Sequence, residues 1–332
     1  MPVELLVLNY NGRTLLAECL PSLLRAADAS QHDCRVTVVD NASTDDSLAW
    51  LAASFPQVAV IRSDNLGLCS YNRVLARLDC RVAILLNNDI KLEERAIDPL
   101  ITPLLAETTA GDKPCFMTAP LCWLFDGRTY EGLKTAVRWR AGLVQATALF
   151  AGHEAGIHQA GVTASAGAVL AVHRRKFLEL GGFDPLYLPG RLEDLDFAFR
   201  GFQAGYQARY VPESVAYHGG CATFGPAFGQ AGCDRLALRN TLLFQWKNLR
   251  HPAHLAQQAW GLPLRAAADV LRAPWAPRER RLAFLRALSQ AAVRFWQIGQ
   301  RSRRSGGGGL ERDFFRRFHP RWINRSLRLS PR

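Results

Sequence analysis

Val82-Ala-Ile-Leu-Leu-Asn-Asn-Asp89 is a continuous apolar run that stops abruptly on three polar side chains. A short run of this kind, bounded by turn residues, reads as a strand buried on both faces, and such strands belong to parallel sheets covered by helices. The same arrangement occurs three times upstream: Val3–Leu8 ends at Asn9-Tyr-Asn11, Val36–Val39 at Asp40-Asn-Ala-Ser-Thr-Asp-Asp46, and Val58–Arg62 at Asn65-Leu-Gly67. Between these runs lie helical stretches. Arg13–Ala27 places Leu16, Leu20, Leu23 and Leu24 at helical spacing, the 40–46 cluster can cap a helix beginning near Ser47, and a third helix covers Ser70–Leu78. Strands alternating with helices predict βαβ units and a mostly parallel sheet. Ligands of such sheets bind beyond the carboxyl ends of the strands, where all four polar clusters fall.

Residues 110–165 show no clear period and read as loop-rich. An ordered block follows: a strand at Ala166–Val172, a helix at Arg174–Leu180, a turn at Gly181-Gly-Phe-Asp184, a helix at Glu193–Ala204 and an extended segment at Ala208–Pro212. From about 235 to 300 the pattern is helical, with breaks expected at Pro252, Pro263, Pro274 and Pro277. Gly306–Gly309 reads as a flexible linker before a short aromatic and basic tail. The organisation expected is a main domain over 1–249 in two halves (1–110 and 111–249), then a helical extension (250–305) and a linker with tail (306–332).

The formal net charge is +12, but it is unevenly placed. From Arg250 to Arg332 there are 18 Arg and no Lys against Asp269, Glu279, Glu311 and Asp313, a net +14 that leaves −2 for residues 1–249. The basicity belongs to the tail, and no nucleic-acid-binding module accompanies it, so nucleic acid is excluded as the expected partner. The eight cysteines (19, 34, 69, 80, 115, 122, 221 and 233) form no C-x-x-C pair and no zinc spacing, and read as buried thiols of a reducing compartment. The chain starts on a strand rather than a signal peptide and contains no apolar run long enough to span a bilayer. The expected location is cytoplasmic, peripheral on the cytoplasmic face of the inner membrane.

Individually the polar residues are ambiguous. Asp40 can meet a base or ribose, or make a turn; Asp89 can bind a divalent cation through hard carboxylate oxygen, or complete an Asn-Asn-Asp turn. Glu193-Asp-Leu-Asp196 offers paired carboxylates for general-base work, yet acids at a helix N-terminus are also favoured by the helix dipole. Asp196 and Arg200, four apart, read as a helix ion pair. His218 can ligate metal as a neutral imidazole, or be structural.

Taken together and in order, Tyr10-Asn-Gly12, Val39-Asp-Asn-Ala-Ser-Thr-Asp45, Asn65-Leu-Gly67, Leu86-Asn-Asn-Asp89, Gly181-Gly-Phe-Asp184, Glu193-Asp-Leu-Asp-Phe197 with Arg200, Gly205-Tyr206, and Val211-Pro to His218 resemble the family 2 glycosyltransferases. Within these, the pattern is closest to the bacterial rhamnosyltransferase-like branch that builds polysaccharides and glycolipids. The resemblance spans about residues 3–250. It implies an α/β GT-A fold, ahead of the C-terminal helical extension, with 1–110 as nucleotide-binding half and 111–249 as acceptor-binding half, and an activity that inverts a sugar as it moves from a nucleotide-diphosphate donor to an acceptor hydroxyl. It implies that Asn9, Tyr10, Asn11, Asp40, Asn41, Asn65, Gly67, Asn72 and Asn88 hold the donor, with Arg239 near its phosphates. Asp89, with His218 completing the shell, would hold Mg2+ or Mn2+; Asp194 would be the base, with Glu193 the next candidate. dTDP-rhamnose or a UDP-sugar is the expected donor and a glycan or lipid-linked glycan the acceptor. The alternative in another class is a non-catalytic sugar-nucleotide or glycan-binding homologue that scaffolds polysaccharide assembly.

Trp123, Trp139 and the 110–165 segment can form an aromatic acceptor platform or simply cover the core. Residues 278–300 read as an amphipathic helix with Leu285, Leu288, Ala292 and Phe295 on one face, Trp296 beside it, and Arg281, Arg286 and Arg294 adding charge. Such a helix suits an anionic membrane surface, or packs on the domain and leaves a solvated basic face.

Overall fold

The computed structural model describes residues 2–107, 112–220, 224–298 and 308–325. The amino-terminal half alternates β1 (Val3–Asn9), α1 (Arg13–Ala29), β2 (Cys34–Asp40), α2 (Ser47–Ser54), β3 (Ala59–Arg62), α3 (Ser70–Arg77), β4 (Val82–Asn87), β5 (Ile90–Leu92) and α4 (Ile97–Leu105). The second half brings β6 (Cys115–Leu124), β7 (Tyr130–Gly132), β8 (Ala136–Arg140), β9 (Leu143–Thr147), β10 (Gly161–Val162), β11 (Val169–His173), α5 (Arg174–Glu179), α6 (Glu193–Gln203) and β12 (Gln207–His218). Four helices follow: α7 (Phe224–Asn248), α8 (Pro252–Arg272), α9 (Ala283–Ile298) and α10 (Gly308–Arg317).

One ten-stranded sheet organises the molecule, in the order β10-β12-β6-β11-β4-β1-β2-β3, with β5 on β12 and β7 on β6. Strands β4, β1, β2 and β3 are mutually parallel, and the buried apolar runs Leu5–Val7 and Val82–Leu86 form their centre. Strand β11 enters antiparallel beside β4 and β6, and β6 and β12 are parallel to each other. Helices cover this α/β sheet. Asn9, Asp40 and Asn87 all lie at the carboxyl ends of parallel strands, the edge at which the alternation of strand and helix predicted a site.

The segment 110–165 is not loop-rich. It contains β6, ten residues long and nearly all buried, and a separate β8–β9 hairpin. No period was legible because β6 is buried on both faces, which erases alternation. Likewise the extended segment at Ala208–Pro212 runs on to His218, through a register shift between Val211 and Val215 that accommodates Pro212. Pro263 lies inside α8 and does not end it.

A second apolar core lies behind α6. Phe199 and Phe202 of that helix stack edge-on against Phe314, and Phe202 also meets Phe318; Leu242, Phe244, Phe284 and Ile323 complete the packing. The segment read as linker and tail is therefore part of the domain: Gly308 and Gly309 begin α10, while Gly306, Gly307 and residues 326–332 lie outside the described residues. Buried Glu311 of α10 accepts hydrogen bonds from the backbone N–H groups of Arg250 (2.7 Å) and His251 (2.9 Å), satisfying donors at the entrance to α8. The amphipathic stretch is the helix α9, but its buried side is Phe284, Ala287, Ala291 and Ile298; Ala292, Phe295 and Trp296 are exposed. Trp139 is no platform either. Its indole N–H donates to Gln257 (2.7 Å) and its ring lies against His254 and Phe315.

Of the seven described cysteines, all outside disulfides, six are buried as the sequence predicts and Cys34 is half-buried; Cys221 lies outside the described residues. Burial pushes the thiols of Cys19 and Cys115 up to about 12 and about 11, so neither forms a reactive thiolate at neutral pH.

Candidate active site

Parallel pairing of β1 with β2 sets Asn9 beside Asp40, and parallel pairing with β4 brings Asn88 alongside. Asn9, fully buried, is the hub: its amide N–H donates to Asp40 Oδ1 (3.2 Å), and its carbonyl oxygen accepts from Asn88 Nδ2 (3.0 Å). The Ser43 backbone N–H donates to the other Asp40 oxygen (3.1 Å), so this buried carboxylate is held as a fixed acceptor. Space here is tight. A Cβ at Gly12 would lie 2.0 Å from Asn88 Nδ2, which is why the turn after β1 needs glycine. Asn11, at φ 48°, turns the chain over Thr44 and Asp45, whose backbone N–H groups donate to its side-chain oxygen. Tyr10 is 39% exposed. Asn65 is also exposed, and Asn41 Nδ2 donates to the Gly67 carbonyl (3.3 Å), tying the loops after β2 and β3 together.

Beside this hub opens a cavity of about 930 Å³ lined by Asp40, Ser43, Arg62, Asp64, Arg73 and Arg77, among others. Its mixture of fixed acceptors and arginines suits a hydrogen-bonding, partly anionic ligand.

Two of the expected donor contacts are engaged elsewhere. Asn72 donates to the Phe183 carbonyl (2.8 Å) and accepts from the Phe183 N–H (2.9 Å), which pins the Gly181–Asp184 turn onto α3. Arg239 donates to the Leu188 carbonyl (2.7 Å), and its neighbour Asn240 reaches the carbonyls of Tyr187, Gly190 and Arg191 (2.8 Å each). These contacts hold Arg191 and Leu192, two consecutive residues at positive φ (80° and 68°) that immediately precede α6. Non-glycine residues rarely adopt that conformation and need external support for it.

That turn delivers Glu193 and Asp194 onto the first turn of α6. Asp194 Oδ2 accepts from the Gly167 N–H (2.8 Å) and from the Ser165 hydroxyl. Ala168, next along the chain, accepts from the Asn87 N–H (3.0 Å). A short backbone path thus connects Asp194 to Asn87-Asn88-Asp89. Glu193 differs in state. One of its oxygens is buried without a hydrogen-bond partner, and burial together with the adjacent Asp194 pushes its carboxyl up to about 8. Glu193 therefore holds a proton more tightly than an ordinary carboxyl.

Antiparallel pairing of β5 with β12 puts Ile90 opposite His218 and so brings His218 against Asp89, Nε2 to Oδ2 at 3.3 Å. Both are buried. On its other side His218 Nδ1 meets Glu131 Oε1 at 2.7 Å. Burial lowers the basicity of His218, but the hydrogen bonds and negative charges of Asp89 and Glu131 outweigh it and push the imidazole up to about 10. Asp89 Oδ1 is buried with no hydrogen-bond partner. No group of three or more His, Cys, Asp or Glu suited to a cation occurs among the described residues. The two that are present nevertheless fit a divalent ion that takes its other ligands from a bound diphosphate: an orphaned carboxylate oxygen beside an imidazole whose second nitrogen is oriented by a carboxylate.

Glu131 escaped the sequence reading because it lies in the segment with no legible period. The Asp126-Gly127 pair before it is a hairpin signal that would have placed a strand there. Replacing Glu131 by Gln is expected to weaken Mn2+ binding by about 10–100-fold, the usual effect of removing a carboxylate that orients a metal-binding histidine; titration calorimetry with nucleoside diphosphate present measures it, and unchanged affinity would rule that role out. Asp196, by contrast, is no surface ion pair. It is fully buried and receives Arg200 Nε (2.7 Å), Lys247 Nζ (2.7 Å), Asn248 Nδ2 (2.8 Å) and the Tyr187 hydroxyl (2.9 Å).

Comparison with known proteins agrees with this architecture. The model of glycosyl transferase family 2 matches residues 5–157. Solved structures with the same fold include GalNAc-T7 with UDP, GalNAc and Mn2+ (17% identity, TM-score 0.56, 90% of this chain and 56% of that one). The chain thus spans little more than half the length of that protein. Others are the mannosyltransferase PcManGT of Pyrobaculum calidifontis with GDP-Man and Mn2+ (19%, TM-score 0.51, 90% and 82%) and S. aureus TarS 1-349 with UDP-GlcNAc (13%, TM-score 0.54, 90% and 83%). No curated protein sequence matches the chain. Residues 5–157 thus match a family 2 glycosyltransferase domain, and the chain has the GT-A fold.

Proposed function

We propose that this chain is an inverting glycosyltransferase that moves a sugar from a nucleotide-diphosphate donor onto an acceptor hydroxyl, with Asp194 as base and Asp89 and His218 as the protein ligands of Mg2+ or Mn2+. The observation that carries this reading is the path Asp194–Gly167–Ala168–Asn87–Asp89, which links a supported carboxylate through the backbone to one with a bare buried oxygen. The nucleoside occupies the cavity beside Asp40, where the fixed carboxylate accepts from the base, and Asn9 and Asn88 keep it in register. A bound divalent cation supplies charge stabilisation for the departing diphosphate. Asp194 removes the proton of the acceptor hydroxyl as that oxygen attacks the anomeric carbon from the face opposite the diphosphate, and a single displacement inverts the centre. Ser165 and Gly167 fix one Asp194 oxygen and leave the other for this proton.

The uridine and guanosine nucleotides and the Mn2+ of the solved relatives support a nucleotide-sugar donor and a divalent metal. We favour dTDP-rhamnose or a UDP-sugar as donor, and as acceptor a glycan or lipid-linked glycan of a cell-surface polysaccharide at the cytoplasmic face of the membrane. Calorimetric titration of nucleotide sugars, with and without Mn2+ or Mg2+, tests the reading. The expected result is metal-dependent binding of one donor that disappears in Asp89→Ala. Donor binding without turnover on any acceptor would instead identify a non-catalytic homologue.

A further inference from the structure

We propose that α8 and the turn after it form a membrane-docking face for anionic lipid. Trp260, Leu264 and Leu271 stand at positions i, i+4 and i+11 of α8, a spacing that puts them on one stripe of the helix. They are 52, 61 and 70% exposed, and Trp275 just beyond the helix is 83% exposed. Pro263 and Ala267, also exposed, fill the same side. The opposite side is buried against the domain, where a Cβ at Gly261 would lie 2.9 Å from the Ala141 carbonyl. The helix therefore has a fixed orientation, and its outward stripe is apolar where a solvated helix carries charge.

The charges around the stripe identify its occupant. Arg272, Arg278, Arg280, Arg281 and Arg286 are all exposed, and Asp269 and Glu279 are the only acids between residues 252 and 298. Asp269 is itself engaged, accepting from the Leu285 N–H (3.0 Å). A second copy of the chain docked on this face would bring two arginine clusters together. An anionic headgroup layer neutralises them while the tryptophans and leucines enter the acyl boundary. No helix among the described residues is long and apolar enough to cross a membrane; the contact proposed is with the outward stripe of α8 alone. The inference concerns lipid alone and stands apart from the assignment of donor, metal and base.

The test uses the full chain in flotation with phosphatidylcholine vesicles, with and without phosphatidylglycerol. Binding is expected only to the anionic vesicles and is expected to weaken as salt is raised. The triple variant Trp260→Ser, Leu264→Ser, Leu271→Ser should lose more than about tenfold in affinity while unfolding thermally as the wild type does, since each side chain is more than half exposed. Arg278→Gln with Arg280→Gln and Arg281→Gln should remove the preference for anionic lipid. Failure of the wild type to float, equal flotation of the serine variant, or a lipid-independent dimer lost in the serine variant would each overturn the proposal.

Discussion

Asp194→Asn is expected to lower transfer by about 10²–10⁴ while leaving donor affinity within about twofold of wild type, because a positioned base contributes that much to rate and nothing to holding the nucleotide. Asparagine keeps the shape and still accepts from the Gly167 N–H and the Ser165 hydroxyl, so the loss isolates the proton acceptor. Glu193→Gln is the matched control. Its carboxyl, pushed up to about 8 by burial and by Asp194, is already neutral at pH 7, so the amide replaces one uncharged group by another and transfer should fall by less than about tenfold. The two variants together decide between adjacent acids that no spacing argument separates. Single-turnover transfer from a tritiated donor measures both; a Glu193→Gln loss larger than that of Asp194→Asn would reverse the assignment.

The second large effect is on stability. Asp196→Ala is expected to lower the unfolding free energy by about 3–5 kcal/mol, the range for breaking a buried ion pair by removing one partner. Lys247 also pairs with Asp184 Oδ2 at 2.9 Å, so the network joins the Gly181–Asp184 turn, α6 and α7. Read as an isolated i,i+4 pair with Arg200, the same substitution would cost about 0.3–0.5 kcal/mol; urea unfolding separates the two values cleanly. Burial alone would raise the Asp196 carboxyl, but Lys247 and Arg200 hold it well below its ordinary 3.8. The sign follows: the stabilisation is present above about pH 4 and fades as pH falls further. The deficit of the alanine variant should therefore shrink in acid.

What the sequence disclosed and what it withheld divide along physical lines. Val3–Leu8, Val36–Val39 and Val82–Leu86 announced the parallel half because apolar runs ending in Asn or Asp are local signals. The stretch around β6 gave none, since a strand buried on both faces looks like any apolar run, and with it went Glu131. Asn72 and Arg239 were legible as polar residues in the right neighbourhood, but their partners are the carbonyls of Phe183 and Leu188. Backbone atoms of distant loops leave no trace in residue spacing. The Phe314, Phe315 and Phe318 cluster at the end of α10 was masked by the arginines around it, because charge dominates composition while three aromatic rings decide burial.

The packing of α10 against α6 also sets an order of events during synthesis. Strands β1 to β4 and helices α1 to α3 can close their parallel core as soon as residue 87 has emerged, since every partner in that ladder is already made. The helix carrying Asp194 has to wait. Its Phe199 and Phe202 gain their aromatic backing only when residues 314–318 leave the ribosome, more than a hundred residues after Asp194 itself. The half carrying Asn9, Asp40 and Asn88 is thus able to close early, whereas the helix carrying Asp194 acquires its aromatic support only after more than a hundred further residues have been made.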